Sequence, residues 1–139
     1  MFNATITFTN DETITLTNEK AFMKFYFDRY GGQVDKFGGY LDEWDYADIA
    51  TYIYSGIMSN YDIFRIQQIF KTHTDIKQIT FDAYQIKKQH HNRIIFALSK
   101  EALNRFMSMV GVHEKGVHPG ATYYNKGFVW EISRTQFTI

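Results

Sequence analysis

ATITFTNDETITLT, residues 4–17, decides the fold. Thr5, Thr7 and Thr9 alternate with Ile6 and Phe8, and Thr13, Thr15 and Thr17 alternate with Ile14 and Leu16. Asn10-Asp11-Glu12 falls between the two runs. Successive side chains of a strand point to opposite faces, so strict alternation predicts half-buried strands, and two such runs around a polar turn predict a hairpin. One face is apolar and the other is threonine. That pattern fits an antiparallel sheet that covers a core on one side and meets water on the other.

Two more strand pairs follow. Ile76 to Ile86 and Arg93 to Leu98 read as strands joined by KKQHHN, and ATYY (121–124) and GFVWEIS (127–133) read as a closing hairpin around Asn125-Lys126-Gly127. The remaining segments have helical periodicity. A helix starts near Asn18, with Phe22, Met23, Tyr26, Phe27 and Tyr30 on one stripe, and Gly31-Gly32 stops it. GGQVDKFGG (31–39) reads as a loop. A second helix runs from about Asp42 to Ser55, with Tyr46, Ile49, Ala50, Ile53 and Ile57 as its apolar stripe. Ser59 is a cap with Asp62 in the reciprocal position, opening a third helix that buries Ile63, Ile66, Ile69 and Phe70. Ser99 caps a fourth, in which Leu103, Phe106, Met107 and Val110 share a face and Gly111 ends the run. The order is ββ-ααα-ββ-α-ββ. Adjacent strand pairs, rather than strands alternating with helices, predict an α+β fold. The expected form is one domain over 1–139, a largely antiparallel sheet of hairpins with about four helices packed on one face.

The chain has 139 residues, 15 Lys+Arg against 15 Asp+Glu, and no cysteine. Absence of cysteine excludes disulfides, a thiol nucleophile and cysteine-ligated zinc. No apolar run reaches the about 18 residues that span a bilayer, and the acid-bearing, alternating start is unlike a signal peptide, so a cytoplasmic protein without membrane contact is expected. Zero net charge argues against a general nucleic-acid binder, so free nucleic acid is not the first expectation.

The charge is unevenly spread. Residues 1–63 hold ten acids and four bases, and residues 64–139 hold eleven bases and five acids. Such a dipole steers association with a charged partner, or with a second copy head to tail. The densest acids are in YLDEWDYAD (40–48): Asp42, Glu43, Asp45 and Asp48, with Trp44 among them. Asp42 fits an N-cap, and Glu43 and Asp45 suit the positive end of the helix dipole. Asp48 is expected in water, opposite the isoleucine stripe. Of 13 Phe, 10 Tyr and 2 Trp, five tyrosines (Tyr40, Tyr46, Tyr52, Tyr54 and Tyr61) crowd this region. Tyr and Trp supply large, stiff contact area at interfaces. Asp42, Glu43, Trp44, Asp45, Asp48 and Tyr52 are therefore the candidate partner-binding set. The alternative surface is basic: Lys87, Lys88, His90, His91 and Arg93 at the tip of the second strand pair, which suits phosphates, although no aromatic residue interleaves with them.

Catalytic signatures are missing: there is no GxSxG, GxxxxGK[ST] or GxGxxG. His113-Glu114 with His118 has one residue too many for HExxH, and Gly116 and Pro119 break the helix that motif needs. His90-His91, Asn104 and His113 follow the residue order of HNH-type nucleases, but Asn104 falls inside a predicted helix and His113 beyond it. A metal-dependent nuclease is accordingly the third reading. No catalytic residue, metal or cofactor is expected.

The opening NATITFTNDETITL, the lack of cysteine and the Asn/Tyr/Lys/Ile-rich composition resemble small accessory proteins of phages that infect low-GC Gram-positive bacteria, a group that includes anti-CRISPR proteins. DEWDYAD (42–48) is similar in type to the acidic surfaces with which several of these occupy the nucleic-acid sites of Cas nucleases. The resemblance implies a non-enzymatic inhibitor in the cytoplasm of a bacterial host, serving host defence evasion. Its partner would be a host protein such as a Cas nuclease or its nucleic-acid complex.

Overall fold

The computed structural model describes residues 1–31, 43–91, 93–113 and 116–139, with residues 43–45 and 73 described in backbone only. The opening alternation forms its hairpin. β1 (Ala4–Phe8) pairs antiparallel with β2 (Thr13–Leu16), Ile6 opposite Ile14, and Asp11 takes the left-handed conformation in the turn (φ 66°). Asn18 then caps α1 (Glu19–Tyr30), its side-chain oxygen accepting from the Ala21 N–H at 2.8 Å. Phe22, Met23, Tyr26 and Tyr30 are buried, but Phe27, on the expected stripe, is half exposed.

α2 (Glu43–Ser55) stops at Gly56, whose φ of +69° favours glycine. A Cβ at Gly56 would come within 2.7 Å of the Ala102 methyl. Ile57, expected on the helical stripe, instead begins β3 (Ile57–Ser59), a strand that periodicity does not reveal. Ser59 and Asp62 form the predicted capping box at the start of α3 (Asn60–His73). β4 (Ile76–Lys88), β5 (Ile94–Ala97), α4 (Lys100–Met109), β6 (Thr122–Asn125) and β7 (Phe128–Thr138) complete the chain. Lys87 and Lys88 are thus strand residues rather than turn, and β7 runs five residues beyond the expected Ser133.

The seven strands form one sheet in which every pairing is antiparallel. β4 is its spine. β7 lies along one edge from Thr80 to Lys88. The other edge is shared, by β1 over Ile76–Phe81 and by β5 over Tyr84–Lys87. β2, β3 and β6 add outside β1, β5 and β7.

This division produces two cores. Ile79, Phe81 and Ala83 join Phe2, Ile6, Phe22, Tyr26, Ile49, Ile53, Ile66 and Phe70 beneath α1, α2 and α3. Ile86 joins Ala97, Leu103, Met107, Val117, Tyr123, Trp130 and Ile132 beneath α4. The β4–β7 register is unbroken from Thr80 to Lys88, so Ile86 points to the face opposite Phe81 and Ala83. Helices therefore cover both faces, correcting the expectation of one. α4 crosses over because Ser99, its cap, follows Ala97 and Leu98, neighbours in sequence that face the second and first core respectively.

Candidate functional site

Of the acidic set, Asp42 lies outside the described residues, and Glu43, Trp44 and Asp45 are placed only as backbone in the first turn of α2. Asp48 is not turned to open water. It faces α3 and pairs with Arg65 at 3.4 Å, both side chains about two-fifths exposed. Tyr52, one turn on, is half-buried. Burial pushes its phenol pKa up, and the Asp62 and Asp48 carboxylates reinforce the shift. The α2–α3 pair thus forms one surface rather than a lone acidic helix.

α3 contributes two side chains outside the candidate set: Tyr61, which the sequence places in the tyrosine cluster, and Phe64, which it does not single out. Tyr61 is 74% exposed and Phe64 59% exposed. They sit three positions apart, on neighbouring places of one helix face. The signal was present in NYDIFRIQQIF (60–70): Tyr61 and Phe64 fall off the Ile63, Ile66, Ile69 and Phe70 stripe, so an amphipathic reading already leaves them outside.

The basic set is brought together at one end of the sheet. His90 takes φ 66° and the His91 N–H donates to the Lys88 carbonyl at 3.1 Å, closing the turn. The expected lack of aromatic interleaving is corrected by the β4–β7 register, which places Trp130 opposite Lys88. The Lys88 ammonium stands 3.4 Å from the centre of the Phe128 ring and 5.5 Å from that of Trp130. His91 meets Phe128 edge-on, with centroids 6.0 Å apart. Such contacts hold a cation in place without an oxygen ligand.

Acids elsewhere in the fold and the cations of the basic end are differently committed. Asp11 pairs with Lys77, Asp28 with Lys24 and Asp48 with Arg65. Asp75 accepts from Arg29 and from the Tyr30 hydroxyl. Its burial raises the carboxyl pKa, but these two hydrogen bonds outweigh it and hold the group below its ordinary range. Lys87, Lys88, Arg93 and Lys126 make no ion pair among the described residues.

The histidine readings separate in space. Asn104 accepts the Val117 N–H on its side-chain oxygen at 3.1 Å, anchoring the loop after α4, and His113 Nδ1 lies 3.4 Å from the Ser108 hydroxyl. No group of three or more His, Asp and Glu could hold a metal among the described residues. The surface depressions are open. One of about 560 Å³ lies at the seam where β1 gives way to β5, and there Asp82 accepts from Asn3 at 2.7 Å and Gln136 at 2.6 Å. Those bonds tie strands together and leave the carboxylate no evident reactive partner.

Fold and surfaces together define an α+β domain of four helices and a seven-stranded antiparallel sheet. No protein-family model matches the chain, and neither the curated proteins nor the solved structures give a match. No helix among the described residues is long and apolar enough to cross a membrane.

Proposed function

We propose that the chain is a non-enzymatic interaction protein, a phage-type inhibitor that sets its α2–α3 surface against a basic, nucleic-acid-handling host defence protein such as a CRISPR nuclease. The observation that supports this reading is the exposure of Tyr61 and Phe64 on α3, the helix whose Arg65 and Asp62 face Asp48 and Tyr52 of α2. Fully burying a large apolar side chain is worth about 1.5–3 kcal/mol, so two such rings are natural anchors in a partner's pockets. Asp48 and Asp62 bring acid to this surface, and the sequence carries Asp42, Glu43 and Asp45 just before Asp48. Asp48 is held by a single long ion pair, which a partner's Lys or Arg can replace. Resemblance to small phage accessory proteins supports the partner class.

Affinity capture from a nuclease-treated bacterial lysate tests it. The expected capture is a nucleic-acid-handling protein, retained by the parent chain and lost by a Tyr61→Ala, Phe64→Ala double variant that melts normally. Equal capture by parent and variant removes the α2–α3 surface from the interaction. Capture of only proteins unrelated to nucleic acid overturns the partner class.

A further inference from the structure

We propose that the end of the sheet where the β4–β5 turn meets the β6–β7 hairpin is a binding site for single-stranded nucleic acid. The proposal does not rest on the α2–α3 reading, although the start of α3, with Tyr61, borders this end beside Arg93.

Four cations lie at this end, Lys88 and Arg93 lining one hollow and Lys87 leaving β4 on the other face of the sheet. Lys87 and Lys88 end β4, Arg93 enters β5, and Lys126 occupies the β6–β7 turn. Glu131, opposite Lys87 in the register, is the one acid among their described strand partners. Lys88 is held by two aromatic faces rather than by a carboxylate, so no ion pair has to be broken before its ammonium meets a phosphate. The His90 turn, the Lys88 stem, Arg93 and Trp130 surround a hollow of about 180 Å³ lined by Lys88, His91, Arg93 and Trp130. That volume suits a phosphate rather than a whole nucleotide.

The rings select the form of the nucleic acid. Phe128 is 42% exposed although it supports Lys88, and Tyr61 shares an open depression with Arg93. Cations alternating with exposed rings suit a strand whose phosphates meet the charges and whose unpaired bases stack on the rings. In a duplex the bases are stacked on one another and offer no free face. Zero net charge is compatible with this site, because the four cations are local and the balancing acids lie elsewhere along the chain.

Fluorescence anisotropy of a labelled 15-nucleotide oligothymidylate with the whole chain tests the site. With three to four phosphates neutralised, affinity falls about twenty- to fiftyfold between 50 and 200 mM salt. Lys88→Gln makes that dependence shallower. Phe128→Ala weakens binding at least about fivefold at fixed salt without changing the salt slope, and Phe128→Tyr restores it. Arg93→Gln, outside the hairpin, is the second variant should Phe128→Ala melt early, and it too weakens binding. No binding at 50 mM salt overturns the proposal. So does equal or tighter binding to a 15-base-pair duplex, to heparin or to anionic lipid vesicles, or an Arg93→Gln chain that binds like the parent.

Discussion

The two halves of β4 face opposite cores, and the cores are made differently. The first, under α1, α2 and α3, contains seven buried rings among the described residues: Phe2, Phe8, Phe22, Tyr26, Tyr30, Phe70 and Phe81. Phe22 and Phe81 lie 6.1 Å apart, and Phe81 stacks on Phe137 at 5.3 Å. The second, under α4 alone, has Tyr123 and Trp130 as its only buried rings among the described residues. It relies on side-chain hydrogen bonds to hold its loops: Asn104 accepts from Val117, Tyr123 from the His118 N–H at 2.7 Å, and Asn125 donates to the Val110 carbonyl at 2.6 Å. The first core is closed by packed rings with an ionic pin at Asp75, the second by one helix and these neutral hydrogen bonds.

Truncation tests that contrast most strongly. Phe81→Ala removes a ring from the centre of the first core and is expected to cost about 3–5 kcal/mol in denaturant unfolding. Leu103→Ala, fully buried under α4, is expected toward the lower end of the about 2–5 kcal/mol range. Hydrogen exchange sharpens the difference. Leu103→Ala should speed exchange in α4 and β6 while leaving α1 and β1 protected. Equal acceleration throughout would show that the two cores open as one unit.

The next effect belongs to the ionic pin of the first core. Arg29 and Tyr30 at the end of α1 both donate to Asp75, just before β4. Asp75→Asn should cost about 1.5–3 kcal/mol, the range for hydrogen bonds to charged groups. The Asp75 carboxyl is depressed in the folded chain, so its contribution is present above its ordinary pKa, near 4, and is lost as the pH falls through the lower folded value. Burial raises the Tyr30 phenol pKa, followed by its bond to Asp75, so its contribution is present below pH 10 and lost above. Urea midpoints measured against pH should therefore fall below about pH 4 less steeply in Asp75→Asn than in the parent. Parallel acid limbs would place the acid sensitivity elsewhere. Asn104→Ala, the matching test on the second core, leaves the Val117 N–H without its acceptor and should cost about 1–2 kcal/mol by the same measurement.

Legibility in the sequence follows the range of the interactions. Local ones could be read: the alternation of 4–17, the start of a helix near Asn18, and the caps Ser59 and Ser99, each of which uses an atom within three residues. β3 could not, because Ile57 continues the helical stripe and only the left-handed Gly56 separates them. The switch of faces was written in β4, where Ile79, Phe81 and Ala83 are odd and Ile86 is even, but reading it required knowing that the strand's irregularity lies at Lys77 and that its register is unbroken from Thr80 to Lys88. The Lys88–Phe128 contact joins residues 40 apart through the β4–β7 register, which no local pattern encodes. Asp48 was misplaced for the same reason: its partner, Arg65, is on another helix.

The smallest expected effect on stability is also the one that separates the two surfaces by function. Asp48→Lys replaces an exposed ion pair by a like-charge contact with Arg65, a change worth no more than about 1 kcal/mol. A partner with a basic surface should nevertheless associate much more slowly with this variant, since rim charges act chiefly on the on-rate. Oligothymidylate binding around Lys88 and Phe128 should be unaffected. The charge swap Asp48→Lys with Arg65→Glu takes the inference one step further. It re-forms an ion pair between α2 and α3, so any stability lost in the single variant should return. Swapping the charges leaves the local net charge as it was but relocates the acid from α2 to α3, so partner capture should stay impaired if the Asp48 carboxylate itself meets the partner. If capture returns together with stability, Asp48 acts only by holding α2 against α3, and recognition rests on Tyr61 and Phe64.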